Sequence, residues 1–258
     1  MLCRDIMKVI EATYPKHAAL EWDNVGLLVG RMDKDVKTIY VALDATNEVI
    51  DEAIALSADM LITHHPLLFS PLKQITDECF IGGRVVKLLQ HDISYYAMHT
   101  NYDVLGMAAL SGDILGLSDM DVLEVTDSEQ MEGIGRVGML AKELSLRECC
   151  ELIKEKFELD GVKAFGDLDK KVKRVAISPG SGKHMTEFAM AKGADVFVTA
   201  EIDHHEGIDA VAQGMAIIDA GHYGLEHIFI KDVSEYLREK IQGVDIVTAP
   251  KKHPFQLV

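Results

Sequence analysis

Ala58-Asp59-Met60-Leu61-Ile62-Thr63-His64-His65-Pro66 is a short apolar strand that runs into two histidines and a proline. Pro66 biases His65 toward extended backbone and stops the strand there. Upstream, TIYVAL (38–43) is rich in β-branched and apolar residues, and NEVIDEAIALS (47–57) has helical spacing behind a polar start. Downstream, a helical pattern over 82–91 leads into ISYYAM (93–98). This β-α-β-α-β alternation predicts a mostly parallel sheet with helices on its faces.

The same run recurs. RVAIS (174–178) reads as a strand, HMTEFAMAKG (184–193) as a helix, and Ala194-Asp195-Val196-Phe197-Val198-Thr199 echoes Ala58 to Thr63. A histidine pair follows each threonine, His64-His65 at once and His204-His205 after four residues, and the copies end at His99 and His222. Asp103 lies four residues beyond His99, as Glu226 does beyond His222. This internal repeat predicts an α/β fold of two similar lobes, residues 1–125 and 126–258, facing a shared cleft at the carboxyl ends of their strands. Residues 105–170 join the halves, with GIGRVGML (133–140) as a strand and SLRECCELIKEKF (145–157) as a helix. An opening amphipathic helix is expected over 4–13.

Composition narrows the function classes. A chain of 258 residues that is 48% apolar can bury a substantial core. Its formal charge of −16 opposes phosphate backbones, so nucleic acid is an unlikely partner. No stretch approaches the roughly 18 apolar residues of a membrane span, and the amino terminus lacks a secretory signal's apolar core. Cys3, Cys79, Cys149 and Cys150 form no CxxC pair, which suits a reducing cytoplasm.

Two adjacent strand residues point to opposite faces, so His64 and His65 serve one cleft only where the strand breaks, as it does before Pro66. Taken alone, such a pair reads more simply as one buried, hydrogen-bonded histidine beside an exposed one. Its company argues otherwise: a polar cluster with Asp103 follows a strong β segment, and Gly221 lets the chain turn freely before His222. A helix starting near Tyr223 would bring Glu226 close to His222. Imidazoles with carboxylates suit zinc, iron, manganese or nickel better than calcium. Three histidines and two carboxylates exceed one catalytic zinc site but suffice for two ions sharing a carboxylate. Ser178 to Lys183 lacks the GxxxxGK[ST] spacing and reads as a strand-to-helix turn. Asp23 and Asn24 either line the cleft or cap a turn, and His204-His205 either serve a pocket or lie on the surface.

THHPLLF (63–69), HTNYD (99–103) and DAGHYGLE (219–226), with WDNVGLLVG (22–30) and GIGRVGML, resemble the dinuclear-metal proteins named after the NGG-interacting factor three (NIF3-like), often labelled GTP cyclohydrolase 1 type 2 homologs. The resemblance spans nearly the whole chain. It implies metal ligands at His64, His65, Asp103, His222 and Glu226, with Glu226 bridging two divalent ions, and a ring-shaped homohexamer. Longer relatives insert a domain between the lobes, for which 105–170 leaves no room. His99 of the HTNYD motif is a further ligand or a residue that orients Asp103 or a water, and the expected function is metal-dependent hydrolysis of a nucleotide or related small molecule, with His99 as the candidate to move the proton. The alternative is a non-enzymatic metal carrier or sensor, or a ring scaffold.

Overall fold

The structure, a computed structural model, describes residues 1–256. The chain begins with α1 (Cys3–Thr13), β1 (Gly26–Val29), β2 (Thr38–Ala42), α2 (Asn47–Ala55), β3 (Met60–Thr63), α3 (Phe80–Gln90) and β4 (Ser94–Ala97). A helical run follows: α4 (Thr100–Tyr102), a π-helical turn (Asp103–Met107) and α5 (Ala108–Leu115). Next come β5 (Ser118–Asp127), β6 (Glu132–Ser145), α6 (Leu146–Phe157), β7 (Lys163–Phe165), β8 (Lys171–Ser181), α7 (Met185–Ala191) and β9 (Val196–Glu201). The chain closes with α8 (His204–Ala212), β10 (Ala216–Asp219), α9 (His222–Glu226), α10 (Ile228–Lys240) and β11 (Asp245–Thr248). Among the described residues no helix is long and apolar enough to cross a membrane.

These elements form two compact units, Met1–Tyr102 with Phe229–Lys252, and Asp103–Ile228 with His253–Val258. The lobes read at 1–125 and 126–258 follow the sequence repeat, whereas the units follow contacts, and the chain returns to the first unit for α10 and β11.

The first unit holds a five-stranded sheet in the order β1-β4-β3-β2-β11. All its strands are parallel except β1, which runs antiparallel to β4. Tyr40, Leu61 and Tyr95 from the sheet pack with Ile50, Val85 and Leu88 from the helices. Helix α1 buries Cys3, Ile6, Met7 and Ile10, the spacing of a single apolar face. Thr46 caps α2 by accepting from the Val49 amide at 3.2 Å.

The second unit's six-stranded sheet, β5-β6-β8-β9-β10-β7, departs from the expected parallel pattern. Only β8, β9 and β10 are mutually parallel, while β5, β6 and β7 pair antiparallel. Residues 105–170 are therefore no joint. Their long strands β5 and β6 widen this sheet, because a hairpin can extend an open edge where no crossover helix is available. The helix read over SLRECCELIKEKF is α6, which opens with a capping box between Ser145 and Glu148 and buries both Cys149 and Cys150.

The repeat is visible in hydrogen bonds. Asp59 Oδ2 accepts from the Lys37 and Thr38 amides at 2.8 and 3.1 Å, and Asp195 Oδ2 accepts from the Lys173 and Arg174 amides at 2.8 Å each. Each aspartate lies just before its central strand and clamps the strand preceding it. Thr63 and Thr199 make matching bonds to the carbonyls of His65 and Glu201. Asp195→Ala removes two charge-assisted bonds and should cost about 2 kcal/mol. The expected readout is a lower urea midpoint at unchanged slope.

Candidate metal site

In the first unit the polar side chains gather where strands end. After β3, the His65 carbonyl accepts from the Thr63 hydroxyl at 2.8 Å and from the Tyr95 hydroxyl at 3.0 Å, and the His65 amide donates to the Leu43 carbonyl at 3.0 Å. With Pro66 next, this grip breaks the alternation of the strand, and the His64 and His65 rings lie 4.9 Å apart. The chain leaving β4 brings His99 to 5.2 Å from the His64 ring and 5.7 Å from that of His65. The three histidines offer ligand atoms that all lie within 4.8 Å of one another.

Their tautomers are set by second partners. His64 Nδ1 meets the Met98 carbonyl at 2.8 Å; a carbonyl only accepts, so Nδ1 carries a proton. His65 Nδ1 faces Asp44 Oδ1 at 2.7 Å, and His99 Nδ1 faces Asp23 Oδ1 at 2.9 Å. Burial alone would raise the carboxyl pKa of Asp23, but hydrogen bonds from His99 and Thr100 outweigh it and hold the group at about 2, so it is ionised. Histidines tied through one nitrogen to a carbonyl or carboxylate are the usual form of metal-binding imidazole.

The second unit assembles a different donor set. Helix α9 begins at His222 itself, after Gly221 at φ +78°, so His222 and Glu226 lie one turn apart on one face, with Nε2 2.9 Å from Oε2. His222 Nδ1 lies 3.2 Å from Glu201 Oε1. Glu226 is 1% exposed, and its carboxylate lies within 4.8 Å of that of Asp103, which opens the π-helical turn. Such turns occur often at functional sites because they re-aim one side chain within a continuous helix. At Gly180, φ is +87° and a Cβ would stand 3.3 Å from Glu226 Oε1, so glycine leaves that carboxylate room.

The donor chemistry of each unit fits a divalent transition metal. Imidazole nitrogens, alone or with carboxylate oxygens, suit zinc, iron, manganese or nickel, whereas calcium takes oxygen.

Within their own units, His64 and His65 stand with His99, and Asp103 and His222 stand with Glu226. The match drawn between His64-His65 and His204-His205 is corrected by strand register. Thr63 and Thr199 occupy equivalent positions, so the counterparts of His64 and His65 are Ala200 and Glu201. The pair His204-His205 instead opens α8, exposed, where Asp203 caps the helix by accepting from the His205 amide at 2.9 Å. By the same register His99 matches Gly221, one residue before His222. Residues 178–181 continue β8 to Ser181, extending the strand beyond the expected turn. Sequence reading missed Asp44 and Glu201 as partners of His65 and His222. Their one visible signal is position, since both are acidic residues at or just past the carboxyl end of an apolar strand.

The family Duf34/NIF3 (NGG1p interacting factor 3) matches residues 1–254. A Clostridium perfringens protein named GTP cyclohydrolase 1 type 2 homolog is 35% identical over 262 positions, covering 100% of both chains. A solved Bacillus cereus protein related to NIF3 superposes with a TM-score of 0.90 at 27% identity, covering 100% of this chain and 99% of its own. Reduced HcgD from Methanocaldococcus jannaschii superposes with a TM-score of 0.84 at 30% identity, covering 96% of this chain and 97% of its own.

Proposed function

Because this chain belongs to the Duf34/NIF3 (NGG1p interacting factor 3) family, we propose that it holds two divalent metal ions on His64, His65, Asp103, His222 and Glu226 and hydrolyses a nucleotide or related small molecule. The observation that supports this most is the fixing of the imidazoles: His64, His65 and His99 each have Nδ1 committed to a carbonyl or carboxylate, which presents Nε2 as a ligand or base. Divalent ions held by these residues would supply the Lewis acidity that hydrolysis needs.

In this reading the chain's own groups do the rest. Glu226, the carboxylate that pairs with His222 and neighbours Asp103, would be the ligand shared by the two ions. His99 moves the proton: Nε2 takes it while Nδ1–H stays on ionised Asp23, which stabilises the imidazolium so formed. A nucleotide as substrate is supported by the GTP cyclohydrolase name of the relatives. The free cysteines accord with a cytoplasmic location. Assembly as a homohexamer completes the proposal, and light scattering should report six chains; a monomer at micromolar concentration would contradict it.

Zinc, manganese, iron or nickel added at 100 times its dissociation constant should stabilise the fold by about 2.7 kcal/mol, seen as a higher melting temperature that a chelator reverses. The metal-loaded protein should turn over GTP or another nucleotide, and His99→Gln should lower that rate while retaining most of the metal. Metal binding without turnover across nucleotides and phosphoesters would replace the hydrolase with a metal carrier.

A further inference from the structure

Trp22 and Phe69 are more than half exposed, at 63% and 55%, yet both sit against the same polar ring. The Trp22 and His99 centroids are 5.9 Å apart with planes at 74°, and those of Phe69 and His99 are 5.7 Å apart at 86°. Their segments are pinned together. Asn24 Nδ2 donates to the Leu68 carbonyl at 2.6 Å, Asp23 accepts from His99 and Thr100, and the Thr100 hydroxyl accepts from the Leu20 amide at 2.9 Å. The Leu67 amide is held by the Tyr95 hydroxyl at 2.8 Å. Two large apolar rings are thus displayed to solvent on braced backbone, beside three imidazoles whose ligand atoms converge. Single exposed apolar residues are ordinary. A braced aromatic pair around a polar cluster is how small-molecule sites combine apolar walls with a few orienting polar groups.

We infer that Trp22 and Phe69 form a stacking platform for the planar base of a nucleotide substrate, which positions the rest of the molecule over His99. The inference rests on the metal-site and nucleotide reading proposed above and adds to it the residues that recognise the base. Stacking of a base on an aromatic side chain is sequence-tolerant and strong enough that removing one ring weakens binding about tenfold or more.

Trp22 is the single tryptophan of the chain, so its emission reports the platform directly. Guanosine and adenosine, titrated into the full-length protein as purified, should quench that emission saturably below about 1 mM, while ribose 5-phosphate should not. Phe69→Ala should weaken the quenching at least roughly tenfold, and Trp22→Ala should weaken guanosine binding equally by calorimetry, with metal content unchanged in both. Absence of saturable quenching, equal quenching by ribose 5-phosphate, or unaltered affinity in Phe69→Ala would overturn the inference. So would a change in light-scattering mass without a change in guanosine affinity, which would make the rings a contact between copies. Saturable guanosine quenching by chelator-treated protein would support the platform, and failure of that same protein to rebind a divalent ion would sink the metal reading, so the two fail separately.

Discussion

Glu226→Ala should strip the purified protein of nearly all its divalent metal, while Asp103→Ala should keep part of it. The expectation follows from the place of Glu226 in its unit. It is buried, stands 2.9 Å from His222 Nε2 and lies within 4.8 Å of the Asp103 carboxylate. As the proposed bridge it serves both ions, so its removal deletes a ligand from each, whereas Asp103 serves one. Changes at residues that merely orient ligands, such as Asp44, typically cost about 10–100-fold in metal affinity, and loss of a shared ligand should exceed that range. Glu226→Gln keeps the side chain's volume and removes its charge, which separates a packing defect from a ligand defect. Elemental analysis of the variants decides the matter. Full metal content in Glu226→Ala would end the ligand assignment.

Phe229→Ala should be the most destabilising single change near the histidine cluster, by about 3–5 kcal/mol. Phe229 is fully buried. Its ring lies 5.0 Å from that of Tyr102 at 88°, and 5.2 Å from that of His64. Tyr102 in turn donates to Asp232 at 2.7 Å, which ties α4 to α10 within the first unit. Truncation would open a cavity behind His64 and free its ring to rotate away from the Met98 carbonyl. The variant should therefore lose metal affinity together with stability. Phe229→Leu, which fills most of the space, should recover most of both. Chemical denaturation and metal titration of the two variants provide the check. A wild-type midpoint in Phe229→Ala would show that α10 does not brace the cluster.

Much of the architecture was legible without coordinates because it depends on local pattern. The i, i+3, i+4, i+7 spacing of Cys3, Ile6, Met7 and Ile10 marks a helix wherever it packs. The alternation from Thr38 to Met98 leaves few topologies open, since parallel strands need a crossover between them. Candidate donors stood out in part for the same reason: in open parallel sheets polar residues past strand ends mark a site, and His64, His65, His99 and His222 all stand there. Asp103 and Glu226 followed from their spacing behind those strands.

What the sequence by itself determined was the run of elements, set within about a dozen neighbouring residues by periodicity and chain stiffness, the existence of a repeat, and, through resemblance to the NIF3-like family, the candidate donors. Only the tertiary structure decided that His204-His205 open α8 and that Ala200 and Glu201 are the counterparts of His64 and His65, the antiparallel widening of the second sheet by β5, β6 and β7, and the return of α10 and β11 to the first unit. It also decided which carboxylate holds which imidazole. Asp44 meets His65 across 21 residues and Asp23 meets His99 across 76, distances at which no local preference acts. Such pairings arise when whole strands and helices find their lowest-energy packing, so the partner that sets each histidine's proton is a property of the assembled unit and not of any segment in it.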